Sequence, residues 1–219
     1  MNHNVLTFLR ELKENNNRPW FQQHKADYDA ARSEVERLVN TILPVMARWD
    51  PALRFAQTKD CMFRIYRDVR FSKDKSPYKL NMGAWMTPAG RKSSGPGYYI
   101  HFQPGESFLT AGVYMPDPDT LKKIRLEVYY NPKEFRKILE DKKLRKFCDG
   151  LQEVEMVKLP PRDFPRDFEE MDLLRHKHYL VTYPLEDEQI NSDGFEKLVL
   201  DFFGVTLPFI QFLRRALEP

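Results

Sequence analysis

Cysteine is scarce. The chain of 219 residues holds two, Cys61 and Cys148, too far apart for a zinc cluster of the CxxC kind and too few for a disulfide framework. Both are expected as reduced thiols. Long apolar runs are missing as well: stretches such as Leu198-Val199-Leu200 end far short of the roughly 18 to 20 residues that span a bilayer. No membrane span is expected. The first residues lead directly into Arg10, Glu11, Lys13 and Glu14, which lacks the charged start, apolar middle and small-residue end of a secretory signal. A cytoplasmic location follows as an expectation.

Charge of one sign is missing too, since 35 Lys and Arg face 32 Asp and Glu for a net charge of +3. Any attraction for a polyanion must come from local clustering. Gly95, Gly97 and Gly112 form no GxGxxG or phosphate-loop pattern, so nucleotide binding by those routes is unsupported. There is no internal repeat, heptad array or low-complexity tract.

With 42% hydrophobic and 31% charged residues the chain has the composition of a folded globular protein. Its length suits one domain over 1–219. The weakest candidate for a boundary is 154–169, where Pro160, Pro161 and Pro165 exclude regular structure.

Apolar spacings of three and four predict a helix over 4–14, and Pro19 suits the start of a second helix running to Leu43. Pro44 is expected to kink or interrupt it. From Cys61 the period changes to two, predicting a strand over 62–70. Further strands are expected over 80–87, 97–103, 107–115 and 179–183, with a hairpin turn at Gln103-Pro104-Gly105-Glu106. Helices are expected over 118–130, from Pro132 toward Phe147, and from Asp193 toward Leu213. The fold class is therefore α+β: a mostly antiparallel sheet of about five strands, helices packed on one face, and helices at both ends. The other face is left partly open, where a ligand site could form.

The densest chemistry lies between Arg64 and Lys79. Arg64, Arg67, Arg70, Lys73, Lys75 and Lys79 face only Asp68 and Asp74, a local excess of four cations. On a strand, Arg64, Tyr66, Asp68 and Arg70 share one face while Phe63, Ile65, Arg67 and Val69 share the other. Arg67 is the misfit: it must be buried with a carboxylate partner or turned outward by a bulge. Arginine forks and mobile lysines together suit an oxyanion such as phosphate.

These residues carry a resemblance. Arg64, Arg67, Asp68, Arg70, Phe71, Asp74, Lys75 and Tyr78 resemble the signature of an uncharacterised bacterial and fungal family known as domain of unknown function 2461. Asn-Asn-Arg-Pro-Trp-Phe near residue 20, Gly-Tyr-Tyr-Ile-His near 100 and Leu-Lys-Lys-Ile-Arg near 124 extend the similarity over nearly the whole chain. The resemblance marks a site and implies no activity, cofactor or catalytic residue.

From the chemistry alone, Arg67, Asp68 and Asp74 are expected to be structural or orienting. Asp68 flanked by arginines is too weak a base near neutral pH. Arg64, Arg70, Lys73, Lys75, Tyr78, Lys79 and His101 are the expected ligand contacts. Neighbouring cations should lower the pKa of Lys75 and Tyr78, making these two the candidates for catalysis. His176-Lys-His178 is too common a pattern to support a metal, and no metal or cofactor is expected.

Two ligand classes remain, the first the preferred reading and the second its alternative. One is an anionic small molecule bearing phosphate or carboxylate, bound at the strand-turn site. The other is nucleic acid, for which Tyr66, Phe71, Tyr78, Trp85, Tyr98 and Tyr99 would supply stacking surfaces among the cations. A third reading makes the motif a structural ion-pair network.

Overall fold

A computed structural model describes residues 4–218. The chain opens with α1 (Asn4–Glu14), α2 (Arg18–Gln23), α3 (Lys25–Trp49) and the single turn α4 (Thr58–Cys61). Three strands follow: β1 (Met82–Met86), β2 (Gly97–Phe102) and β3 (Ser107–Val113). Then come α5 (Pro118–Tyr130), α6 (Pro132–Leu139), α7 (Met171–Leu174), β4 (Tyr179–Leu185), α8 (Asp187–Ile190) and α9 (Phe195–Arg215). The strands form one antiparallel sheet in the order β1–β2–β3–β4. The fold is α+β, with four strands where about five were expected; 62–70 forms none.

The chain divides into two compact units. The first takes in the chain up to Arg91, Tyr99–Leu109 and Pro184–Asp201; the second takes in Lys92–Tyr98, Thr110–Tyr183 and the chain from Phe202 onward.

In the first unit, α1 buries Val5, Leu6, Phe8, Leu9 and Leu12, one helical stripe, against α3. The side chain of Asn17 accepts a hydrogen bond from the Trp20 backbone N–H at 3.0 Å and caps α2. The long helix expected from Pro19 breaks at His24, whose φ of −104° and ψ of 25° are not helical. From Lys25 it runs unbroken past Pro44 to Trp49. Pro44 and Asn40, whose carbonyl loses its bond to the proline ring, both sit on the exposed side, where water can satisfy that carbonyl. Leu43 and Met46 anchor the helix on either side of it. Phe102 of β2 packs edge-on against Phe195 of α9 at 6.0 Å.

In the second unit, Phe135 of α6 gathers Tyr179, Phe209 and Phe212 at 4.7 to 6.1 Å between ring centroids. Arg215 forks onto Glu127 and Glu134, and Arg136 pairs with Glu170 and Asp172. The 154–169 stretch lies within this unit. Residues 152–157 bond along 175–180, through Gln152 N to Leu180 O, Val157 N to Arg175 O and the Met156–His176 bridge. That pairing covers the start of the β4 edge, at Leu180.

Candidate functional site

Residues 62–84 form a broken ribbon in the first unit. Met62 bridges Ala84 and Tyr66 bridges Tyr78, both antiparallel. The bridges lie four positions apart on one segment and six on the other, so the return segment bulges and no ladder closes. Pro77 also lacks the N–H a ladder would use. This replaces the expected strand over 62–70. The alternation of faces survives nevertheless: Ile65 is buried and Arg67 half-buried, while Arg64, Tyr66, Asp68 and Arg70 are exposed.

Arg67 is held by a carboxylate. Its guanidinium pairs with Asp74, donates to the Ser76 carbonyl at 3.2 Å and reaches the Ser72 hydroxyl at 3.4 Å. Asp74 also accepts from the Ser76 N–H at 2.9 Å and from its hydroxyl at 2.6 Å. Those two bonds, and then Arg67, hold the Asp74 carboxyl well below the usual carboxylate range. Arg67 thereby ties the 72–76 turn to the ribbon.

Asp68 receives the Arg70 guanidinium in a fork at 3.0 and 2.7 Å, which lowers its pKa. Each carboxylate of the stretch is thus matched by one arginine. Arg64, Lys73, Lys75 and Lys79 have no carboxylate partner among the described residues. Lys75 donates to the Val69 carbonyl at 3.0 Å. The Lys79 ammonium lies 5.4 Å above the Phe63 ring, half-buried, and burial followed by Arg64 lowers its pKa.

Tyr78 stands apart from the other expected ligand contacts. It is 2% exposed, with its ring stacked on Phe21 at 4.0 Å and 15°. Its backbone is clamped by Asn16, which donates Nδ2–H to the Tyr78 carbonyl at 2.9 Å and accepts the Tyr78 N–H at 3.1 Å. Burial, then Tyr66, raises its pKa against the opposing charge of Arg18. The expectation that neighbouring cations lower it is therefore corrected: desolvation outweighs them. Its hydroxyl makes no hydrogen bond among the described residues. Tyr78→Phe is expected to change stability by less than about 1 kcal/mol and to leave ligand binding unaltered, measured by thermal melting and titration. A loss of binding would return Tyr78 to the site.

His101 lies on the partly open face of the sheet. Alternation along β2 buries Tyr98, Ile100 and Phe102 and leaves Tyr99 and His101 half-buried on the other side. Around Tyr99 stand Phe63 at 6.0 Å, Trp85 at 6.2 Å and Phe108 at 5.9 Å, and Phe108 stacks on His101 at 4.6 Å. These rings form one aromatic cluster, in which Trp85 is buried and Phe63, Tyr99, His101 and Phe108 are half-buried, with Lys79 over its Phe63 end. Phe63 and Phe108 are its additions to the expected residues; both lie in segments expected as strands, the signal that could have found them. Two more rings sit on the ribbon itself: Phe71 is 96% exposed and Tyr66 46%.

Between Arg64, Arg32, Tyr28 and Asn81 a narrow cleft leaves about 10 Å³ of free space, room for about one water. It does not hold a metabolite.

His176 and His178 are both buried. His178 Nδ1 accepts the Met115 N–H at 2.9 Å and its ring stacks on Tyr114. No cluster of three or more His, Cys, Asp or Glu able to hold a metal occurs among the described residues. Among them, too, no helix is long and apolar enough to cross a membrane.

Burial holds the pKa values of His101, His176 and His178 below the ordinary value of about 6.5. A folded-state pKa below the unfolded one gives stability that is present above about pH 6.5 and lost as pH falls through the folded values. Tm is expected to fall between pH 7 and pH 5; a flat profile would contradict the burial of these rings.

The chain belongs to the family of conserved hypothetical proteins DUF2461, whose model matches residues 4–212. No curated protein and no solved structure matches it. Within the matched residues, Asn16 and Phe21 hold Tyr78.

Proposed function

We propose that the protein binds single-stranded nucleic acid, with the cations of the 64–79 ribbon on the phosphates and the aromatic surface of β1–β3 under the bases. The observation that carries this is the continuous set of rings Phe63, Trp85, Tyr99, Phe108 and His101 on the partly open face, adjoining a ribbon whose Arg64, Lys73, Lys75 and Lys79 are unmatched by carboxylates. Stacking on aromatics together with a cationic track for the backbone is how sequence-tolerant single-strand binding is built. The exposed Phe71 and Tyr66 offer further stacking positions on the ribbon.

The small-molecule reading of the same cations draws less support, because the cleft beside Arg64 has room for about one water. The purely structural reading accounts for Arg67 with Asp74 and Arg70 with Asp68 but leaves Arg64, Lys73, Lys75 and Lys79 without a carboxylate. The test is binding of a labelled oligonucleotide as salt is raised. Four neutralised phosphates on a single strand give a slope of log K against log salt of about −3.

A further inference from the structure

On the aromatic face, hydrogen bonds run in one direction from Tyr99 to Glu106. Gln103 donates its Nε2–H to the Glu106 carboxylate at 2.8 Å, and a carboxylate only accepts. Gln103 must therefore turn Oε1 toward His101, whose Nε2 lies 3.2 Å away. An amide oxygen only accepts as well, so the His101 proton sits on Nε2. Burial keeps the His101 ring neutral near pH 7, which leaves Nδ1 bare. The Tyr99 hydroxyl, 3.0 Å from Nδ1, has one role left, which is to donate. Burial pushes its pKa up to about 12, so the phenol keeps its proton.

The groups facing His101 are Tyr99 on its own strand, Gln103 and Glu106 from the turn, and the Phe108 ring from β3. Gly83 carries no side chain where a Cβ would stand 2.6 Å from the Tyr99 hydroxyl oxygen. With its proton committed to His101, that oxygen offers a ligand only lone pairs. Tyr99 is half-buried, and a bond accepted away from open water is stronger than one made in it.

We propose that Glu106, acting through Gln103 and His101, fixes Tyr99 as a hydrogen-bond acceptor, so that this face selects a base whose exocyclic amino group donates to it. This rests on the reading of the face as a single-strand surface. Cytosine carries such a group. Thymine has none, and its one ring N–H lies between two carbonyl oxygens that a lone pair repels.

Long-range 1H–15N NMR of His101, assigned against His101→Asn, tests the relay without any ligand. The expected result is a neutral ring protonated on Nε2 at pH 7, with Glu106→Ala abolishing that single state. A ring protonated on Nδ1, or no response to Glu106→Ala, overturns the relay. Titration with oligo-dC and oligo-dT of equal length at low salt tests the selectivity: one added hydrogen bond makes oligo-dC bind about tenfold tighter. Tyr99→Phe should bring the two together while both still bind. Equal binding by the unaltered protein overturns the selectivity. Binding of neither oligonucleotide withdraws the nucleobase as ligand and the function proposed above, while NMR still decides the relay.

Discussion

Gly112→Ala is expected to cost more than about 4 kcal/mol, the range reserved for disruption of a packed backbone. Gly112 has φ of 135°, and a Cβ built there would lie 1.8 Å from the Tyr179 carbonyl oxygen and 2.9 Å from its carbon. Both atoms are backbone, so no side chain can swing aside. The two strands would have to part by more than an ångström, and an alanine would remain strained at that φ even then. Total stabilities are about 5 to 15 kcal/mol, so the variant should melt at least about 8 °C lower or fail to fold. Melting within about 2 °C of the parent would show that the close approach of β3 to β4 is not as described.

Phe21→Ala has the next largest expected effect, about 3 to 5 kcal/mol. Phe21 is fully buried, and its ring meets Tyr78 at 4.0 Å, Tyr28 at 5.1 Å, Tyr66 at 6.1 Å and Phe8 at 6.2 Å. The hole would open beneath the ribbon, removing the surface on which Tyr78 stacks. Amide exchange at Tyr78 and Lys79 should therefore accelerate more than exchange along α3. Phe21→Leu fills most of the volume and should cost under about half as much. Equal exchange changes everywhere would mean that Phe21 supports the unit as a whole and not the ribbon in particular.

The helices were legible because burial of one face imposes a period on the residues. Val5, Leu6, Phe8, Leu9 and Leu12 announce α1 and are all buried. The passage of α3 through Pro44 was not legible, since it depends on which side of the helix meets solvent. The ribbon at 62–70 alternates like a strand and is buried like one. Its lack of a ladder depends on a bulge in the return segment, which no local pattern announces.

The candidate site was legible in its charges and less so in its geometry. That Arg67 needs a carboxylate follows from the cost of burying a bare guanidinium, and Asp74 meets it. Which lysines stand unmatched depended on how Arg67 and Arg70 divide the two aspartates. Tyr78 shows the limit most clearly. Its neighbours in sequence are cations, its neighbours in space are Phe21 and Tyr66, and the second set decides its pKa. Glu106 stands five residues from His101 and was invisible until the turn brought Gln103 between them.

The measurement that bears most directly on the function is the salt dependence of binding to a labelled single-stranded oligonucleotide. The account predicts binding at low salt with a slope of log K against log salt of about −3, reduced to about −1.5 in the double variant Arg64→Ala with Lys79→Ala. No binding at low salt, or a slope that the double variant leaves unchanged, would contradict it.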